Sequence, residues 1–310
     1  MNLSHRSERS SEPNFRRIST NGITLQVAEA GPEDGPPVLL LHGFPEFWYG
    51  WRYQISALTK ASYRVIVPDQ RGFNLSDKPR SVADYRLENL VDDVIGLMDS
   101  MSFDRVSIIG HDWGGVVAWQ SIQSNFERFD KAVILNAPHP QVMLRELSEN
   151  PVQCLRSWYT FLFQIPYLPE LILSSNDWKL LSREMERSSL PGTYSPEDFE
   201  AYKKSWREPR AITSMFHWYR AAFRDRATPL ANPLIPIPTL ILWGGKDKYL
   251  GKGLARSSFA LCDNARLEWI EDATHWLHHE QPDRVNQLVL EFLRGSQPHT
   301  RGEATDLNQL

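Results

Sequence analysis

The sequence predicts an α/β domain built on a mostly parallel, doubly wound sheet, with a helical insertion near its middle. Three observations predict it. Short aliphatic runs end abruptly in glycine-containing or polar turns, helical periodicities fall between them, and the rhythm stops over residues 138–226 before resuming. Runs apolar at successive positions, rather than at alternate ones, suit strands buried on both faces, as parallel sheets require when helices cover both sides.

The elements follow in order. Val38-Leu39-Leu40-Leu41 ends in His42-Gly43, and Arg64-Val65-Ile66-Val67 ends in Pro68-Asp69. Val106-Ser107-Ile108-Ile109 ends in Gly110-His111-Asp112, and Ala132-Val133-Ile134-Leu135 ends in Asn136-Ala137. Leu87, Leu90, Val91, Val94, Leu97 and Met98 recur at helical spacing, and a second helix is expected from Trp113 to about Ser124. Residues 138–226 carry Trp158, Trp178, Trp206 and Trp218, several tyrosines and many charges but no aliphatic strand, which reads as a mainly helical insert. The core resumes at Pro238–Gly245 and at Ala265–Ile270, and closes with a helix from about Pro282 to Leu293. The core thus comprises 20–137 and 227–295. Residues 1–19, rich in Ser, Arg and Glu without an apolar stretch, read as a flexible leader rather than a secretory signal, and 296–310 as a frayed tail.

Composition excludes several classes. With 41% hydrophobic and 11% aromatic residues in 310, the chain can bury a sizeable core and is not a disordered protein. Thirty-four Lys+Arg against 38 Asp+Glu give a formal charge of −4, without the basic excess expected of a nucleic-acid binder. No run approaches the ~18 apolar residues of a membrane span. Cys154 and Cys262 lie far apart in unlike contexts, which indicates free thiols in a reducing, cytoplasmic setting rather than a disulfide framework or zinc knuckle.

The segment richest in chemistry is Gly110-His111-Asp112-Trp113-Gly114-Gly115, between a predicted strand and a predicted helix. Strand–Gly-x-nucleophile-x-Gly–helix is the elbow of α/β-hydrolases, in which small flanking residues permit a tight turn that lifts the central side chain above the sheet edge. Asp112 stands where serine is usual, and no competing Gly-x-Ser-x-Gly exists in the chain. A carboxylate needs no deprotonation at neutral pH and suits attack at sp³ carbon. A helix-capping aspartate is the plain alternative. The surroundings favour the nucleophile. His42-Gly43-Phe44-Pro45 follows the strand after which such folds place an oxyanion loop, so the N–H groups of Phe44 and Trp113 are the expected oxyanion donors. Asp247 and His275 each follow a later strand, giving the chain order nucleophile, acid, histidine. His278, His279 and Glu280 invite a metal reading, but no His-Glu-x-x-His pattern or remote ligand supports it; a solvated helix start is expected, with no metal and no cofactor.

From about residue 20 to 295 the chain resembles the soluble, cofactor-free epoxide hydrolases of the α/β-hydrolase fold, on His42-Gly43-Phe44-Pro45-Glu46, Asp69-Gln70-Arg71-Gly72-Phe73, Gly110–Gly115 and Ala273-Thr274-His275-Trp276. The resemblance implies that the 138–226 insert is a helical lid supplying two phenols to the epoxide oxygen. Tyr159, in Ser157-Trp158-Tyr159-Thr160-Phe161, and Tyr219, in His217-Trp218-Tyr219-Arg220, look like these two. It also implies a substrate pocket drawing on Phe44, Trp113, His217 and Trp218, an apolar epoxide and water as partners, and conversion to a vicinal diol through an ester on Asp112. Oligomeric state is left open, a homodimer included. Haloalkane and haloacid dehalogenases share the aspartate elbow. They differ in wanting an asparagine or a second lid tryptophan for halide where this chain has Phe44, or an arginine after the nucleophile where it has Trp113. A non-catalytic ligand receptor on the same scaffold is the third alternative.

Overall fold

The computed structural model describes residues 12–224 and 234–295. Eight strands form one sheet: β1 (Asn14–Thr20), β2 (Ile23–Ala30), β3 (Pro37–Leu41), β4 (Arg64–Pro68), β5 (Val106–His111), β6 (Phe129–Leu135), β7 (Thr239–Gly244) and β8 (Ala265–Ile270). Their order is β1-β2-β4-β3-β5-β6-β7-β8. Neighbours are parallel from β4 to β8, and β2 runs antiparallel to both β1 and β4. All six aliphatic runs are strands. Along β3, Leu39 and Leu41 enter one hydrophobic core while Val38 and Leu40 enter a second on the opposite face. Neither face meets water, so every position gains from being apolar, about 1.5–3 kcal/mol for a fully buried leucine.

The helices are α1 (Arg52–Lys60), α2 (Leu87–Ser100), α3 (Trp113–Ser124), α4 (Pro140–Glu149), α5 (Pro151–Arg156), α6 (Trp158–Leu162), α7 (Leu168–Ser188), α8 (Pro196–Trp206), α9 (Ala211–Arg224), α10 (Lys252–Phe259), α11 (Leu277–Glu280) and α12 (Pro282–Arg294). α1 and α12 cover one sheet face through Ile55, Leu58, Val285 and Leu288, and α2 and α3 the other through Leu90, Val94 and Val117. Helices α4–α9 fill the interval between β6 and β7, with no strand among the described residues there. Ser195 and Asp198 start α8 with a reciprocal capping box. α7 breaks at Ser175–Trp178, where three successive residues take positive φ.

The leader expectation needs correction. Residues 14–19 belong to β1, and 1–11 lie outside the described residues, as do 225–233 and the tail at 296–310. The strand escapes a hydrophobicity search because it lies at the sheet edge, where Arg16 and Arg17 face solvent and only Ile18 and Thr20 turn inward. Its own turn announces it: Asn21 and Gly22 both take positive φ (42° and 73°), as a two-residue hairpin of primed type demands. Cys154 and Cys262 are both free thiols.

Candidate active site

Asp112 occupies the turn between β5 and α3 with φ 51° and ψ −123°, a conformation costly for any residue with a side chain. The surrounding glycines make the turn affordable. A Cβ on Gly114 would collide with the Leu41 and His42 carbonyls, and one on Gly43 would collide with the Asp112 side chain itself. The His42–Pro45 loop therefore lies directly against the carboxylate, and the Phe44 N–H donates to Asp112 Oδ1 at 2.8 Å. Gln70 secures the loop, its N–H donating to His42 Nε2 at 3.0 Å and its amide to the His42 carbonyl. Burial lowers His42 to about 4, which keeps Nε2 free to accept. Trp113 opens α3, where first-turn N–H groups have no partner within the helix.

His275 follows β8. Its Nδ1 lies 2.8 Å from Asp247 Oδ2 and its Nε2 3.5 Å from Asp112 Oδ2. Asp247 is fixed in turn: the Tyr249 and Leu250 N–H groups donate to Oδ1 at 2.7 and 2.9 Å, and the Asn136 amide donates to Oδ2. Burial opposes ionisation of Asp247, but His275 and these donors outweigh it and hold the group below its ordinary range. Burial alone would lower His275; the charges of Asp247 and Asp112 outweigh it and raise it to about 10. The imidazolium is thus the resting form while both carboxylates are charged.

The insert brings Tyr159 from α6 and Tyr219 from α9 to one cavity with Asp112, His275 and Phe44; Leu181, Met185, Tyr249 and Trp276 complete much of its wall. It encloses about 490 Å³ of atom-free space including its open mouth. Burial, then the negative charge of Asp112, pushes both phenols well above their ordinary range, so each remains a donor.

The structure brings together Asp112, His275, Asp247, Phe44, Tyr159 and Tyr219, but not all of the expected pocket wall. His217 turns away to pack against Tyr85 at 5.3 Å between ring centres, and burial lowers it to about 4. Trp218 is buried with its Nε1 donating to the Arg71 carbonyl at 2.9 Å. Neither lines the cavity. Successive helical residues point about 100° apart, so only Tyr219 of this triplet faces inward. The Trp113 ring also lies outside the lining and packs edge-on against Tyr219 at 5.0 Å, a positioning contact. His278 and His279 are not a solvated helix start: they are 0% and 4% exposed, because α11 runs inward toward Trp51 and Glu46.

Sequence reasoning missed Asn136, whose Oδ1 accepts from the Gly244 N–H at 2.8 Å while its amide holds Asp247. A polar residue ending an aliphatic strand beside the elbow strand was the available signal. It also missed the cavity-lining residues Tyr249, Leu181 and Met185, which carry no motif.

Residues 36–282 match the family model described as alpha/beta hydrolase fold. The AB hydrolase superfamily protein YfhM of Bacillus subtilis (strain 168) is 45% identical over 277 residues, 89% of this chain and 96% of that protein. Epoxide hydrolase 4 of Homo sapiens is 37% identical over 287 residues, 90% of this chain and 78% of that protein. A solved structure titled as novel epoxide hydrolases of the alpha/beta hydrolases superfamily, from metagenomes of hot environments, superposes with a TM-score of 0.82 at 33% identity, covering 91% of this chain and 99% of that one. With its mostly parallel sheet and the strained strand-to-helix turn at Asp112, the chain is an α/β-hydrolase-fold protein. Within that fold it belongs to the epoxide hydrolase family.

Proposed function

We propose that this protein hydrolyses apolar epoxides to vicinal diols, with Asp112 as nucleophile and Tyr159 and Tyr219 as acids. The observation that carries the reading is a carboxylate, in the place of the usual serine, sharing one cavity with two phenols held protonated. An opening epoxide releases an alkoxide, a poor leaving group, and so needs a proton donor at oxygen. Asp112 Oδ2 forms a bond to the less hindered ring carbon as the C–O bond breaks, and a phenol gives its proton to the departing oxygen. Oδ1, already held by the Phe44 N–H, becomes the carbonyl oxygen of the ester.

Forming the ester removes the charge of Asp112, one of the causes that keep His275 protonated. The imidazolium is then able to pass its proton to the phenolate, restoring the phenol, and the neutral imidazole acts as base on a water, which adds to the ester carbonyl. The resulting oxyanion on Oδ1 meets the Phe44 and Trp113 N–H groups; collapse expels the ester oxygen, which takes the imidazolium proton, and the diol leaves as the new carboxylic acid returns its proton to His275. Removing one such donor costs about 2.7–4 kcal/mol in comparable acyl chemistry. No step calls on a metal or cofactor. Asn136 and Trp113 act through others, the first by holding Asp247 and the second by packing Tyr219.

The partners of this reading are the epoxide, water and, in a homodimer, a second copy. Leu155, Trp158, Phe161, Tyr167 and Leu171 of the insert are individually exposed. No described helix is long and apolar enough to cross a membrane. Two free thiols suit a reducing compartment such as the cytoplasm.

Incubating the purified protein separately with styrene oxide and a chloroalkane, and assaying diol and halide, tests the function. Diol without halide is expected; halide release without diol establishes dehalogenation, and tight binding without either product establishes a receptor. The double variant Tyr159→Phe/Tyr219→Phe should lower the rate of ring opening by about 10²–10⁴-fold. Affinity for the diol should change far less. Equal losses in both quantities would assign the phenols to binding alone.

A further inference from the structure

Tyr159 and Tyr219 reach the cavity from two helices of very different anchorage. Along α9, every residue but Thr213 from Ala211 to Ala221 is buried, so Tyr219 stands on a fixed base. α6 spans five residues and buries none of them; Trp158 and Phe161 are 61% and 46% exposed. A helix of little more than one turn has no stability of its own. Contacts other than its own burial must therefore hold Tyr159 where a second phenol can share its target.

Arg220, the residue after Tyr219, supplies such contacts. It is 5% exposed and lies outside the cavity wall. Its Nε donates to the Phe163 carbonyl and its Nη2 to the Ile165 carbonyl, each at 2.9 Å, and Nη1 donates to Glu170 Oε1 at 2.7 Å. Phe163 is the C-cap of α6, where carbonyls have no partner within the helix. Its N–H donates to the Tyr159 carbonyl at 3.0 Å. Its ring packs against both phenols, 5.6 Å from Tyr159 and 5.0 Å from Tyr219 between centres, and the phenol rings themselves stand 6.2 Å apart. Gln164 adds a second strap, its amide donating to the Thr160 carbonyl at 3.0 Å and the Tyr219 carbonyl at 3.3 Å. An ion pair serving the lid at large would need only Glu170; two of the three guanidinium bonds go instead to the end of the helix that carries Tyr159.

We infer that Arg220 is a positioning residue for ring opening: oriented by Glu170, it sets the spacing of Tyr159 and Tyr219 so that both hydroxyls meet one epoxide oxygen. The inference rests on the ring opening proposed above. Its physical basis is the planar fork of the guanidinium, which holds several acceptors in fixed directions, whereas an ammonium is a single point charge on a flexible stem. Placement matters because a misplacement of about 1 Å at a reacting group costs on the order of 10²-fold in rate. Without the clamp, α6 is free to drift from α9, and Tyr159 drifts with it. Asp112, Asp247, His275 and the oxyanion donors belong to the core and keep their places.

The test measures ester formation with styrene oxide by intact mass, in the full chain carrying His275→Gln so that the ester accumulates. Adding Arg220→Met should slow ester formation on the order of 10²-fold. Adding it to Tyr159→Phe/Tyr219→Phe should cost far less, because a residue that acts only through the phenols has nothing left to position. Equal losses in the two backgrounds would show a general effect on the lid and overturn the inference. Arg220→Lys keeps a charge for Glu170 and should recover the melting temperature while ring opening stays slow; full recovery of the rate by lysine overturns the fork. If Arg220→Met fails to fold, Arg220→Met/Glu170→Met, which leaves no unpaired buried carboxylate, takes its place with the same expectations. Absence of ester in the protein that retains Arg220 overturns the proposed reaction and the clamp's role with it. Ester formed equally fast with and without Arg220 overturns the clamp alone.

Discussion

Asp112→Ala is expected to lower diol formation by on the order of 10⁴–10⁶-fold, the range seen when a covalent nucleophile is removed. The reason is local. The carboxylate is the group lifted by the strained elbow into the cavity, where Phe44 N–H holds one oxygen and His275 faces the other. Alanine keeps a Cβ at the same positive φ, so the elbow strain and the neighbouring glycine contacts persist while the attacking atom is gone. The variant should retain the wild-type circular dichroism spectrum and bind the diol product. Intact-mass analysis of the wild type during turnover should show a covalent adduct equal in mass to the epoxide, mapping to Asp112 and absent from the variant. Undiminished diol production by Asp112→Ala would mean that water attacks the epoxide directly and that the aspartate merely caps α3.

His275→Gln should separate the two half-reactions. Ring opening needs the Asp112 anion and the phenols, so ester should still form, whereas its hydrolysis should slow by about 10²–10⁴-fold. The same adduct then accumulates toward full occupancy. Free diol as fast as in the wild type, with no adduct, would remove His275 from the role of base. The pH behaviour carries a further signature. His275 is raised to about 10 in the free protein, where burial lowers it but the charges of Asp247 and Asp112 prevail. Esterification cancels the Asp112 charge, so the wild-type rate of ester breakdown should rise with pH through a midpoint below 10, and the Gln variant should lose that rise. The stability effect has the opposite direction. A folded-state pKa above the ordinary 6.5 contributes stability that is complete below 6.5 and is lost as pH climbs through about 10. The melting-temperature advantage of the wild type over His275→Gln should therefore shrink across that window. An advantage independent of pH would mean that the imidazolium pair does not exist in the folded protein.

Two kinds of residue divide what was legible in advance. Strands buried on both faces declare themselves by unbroken aliphatic runs, which is why β3 to β8 were recoverable from local sequence. β1 and β2 were not: β1, an edge strand, satisfies half its surface with water and reads as polar, and the Asn21-Gly22 turn joining the pair was the one local signal. The convergence of Asp112, Asp247 and His275 was legible because each follows a strand end, a place that parallel topology turns into one edge. Tyr219 was legible by its neighbours, yet those neighbours misled: His217 and Trp218 share its sequence context and not its direction, since the helical turn sends them to Tyr85 and Arg71.

By itself the amino-acid sequence determined strands β3 to β8, the insertion point and the chain order of Asp112, Asp247 and His275 at strand ends, because those depend on patterns spanning a few residues. Only the tertiary structure decided that Asn136 anchors Asp247, that Leu181 and Met185 wall the cavity, and that Glu46, His111, His278 and His279 converge behind the elbow. These groups meet across separations of up to 233 positions. Such meetings are set by how helices and loops pack in space, and a contact between distant residues leaves no period or spacing in the chain to be read.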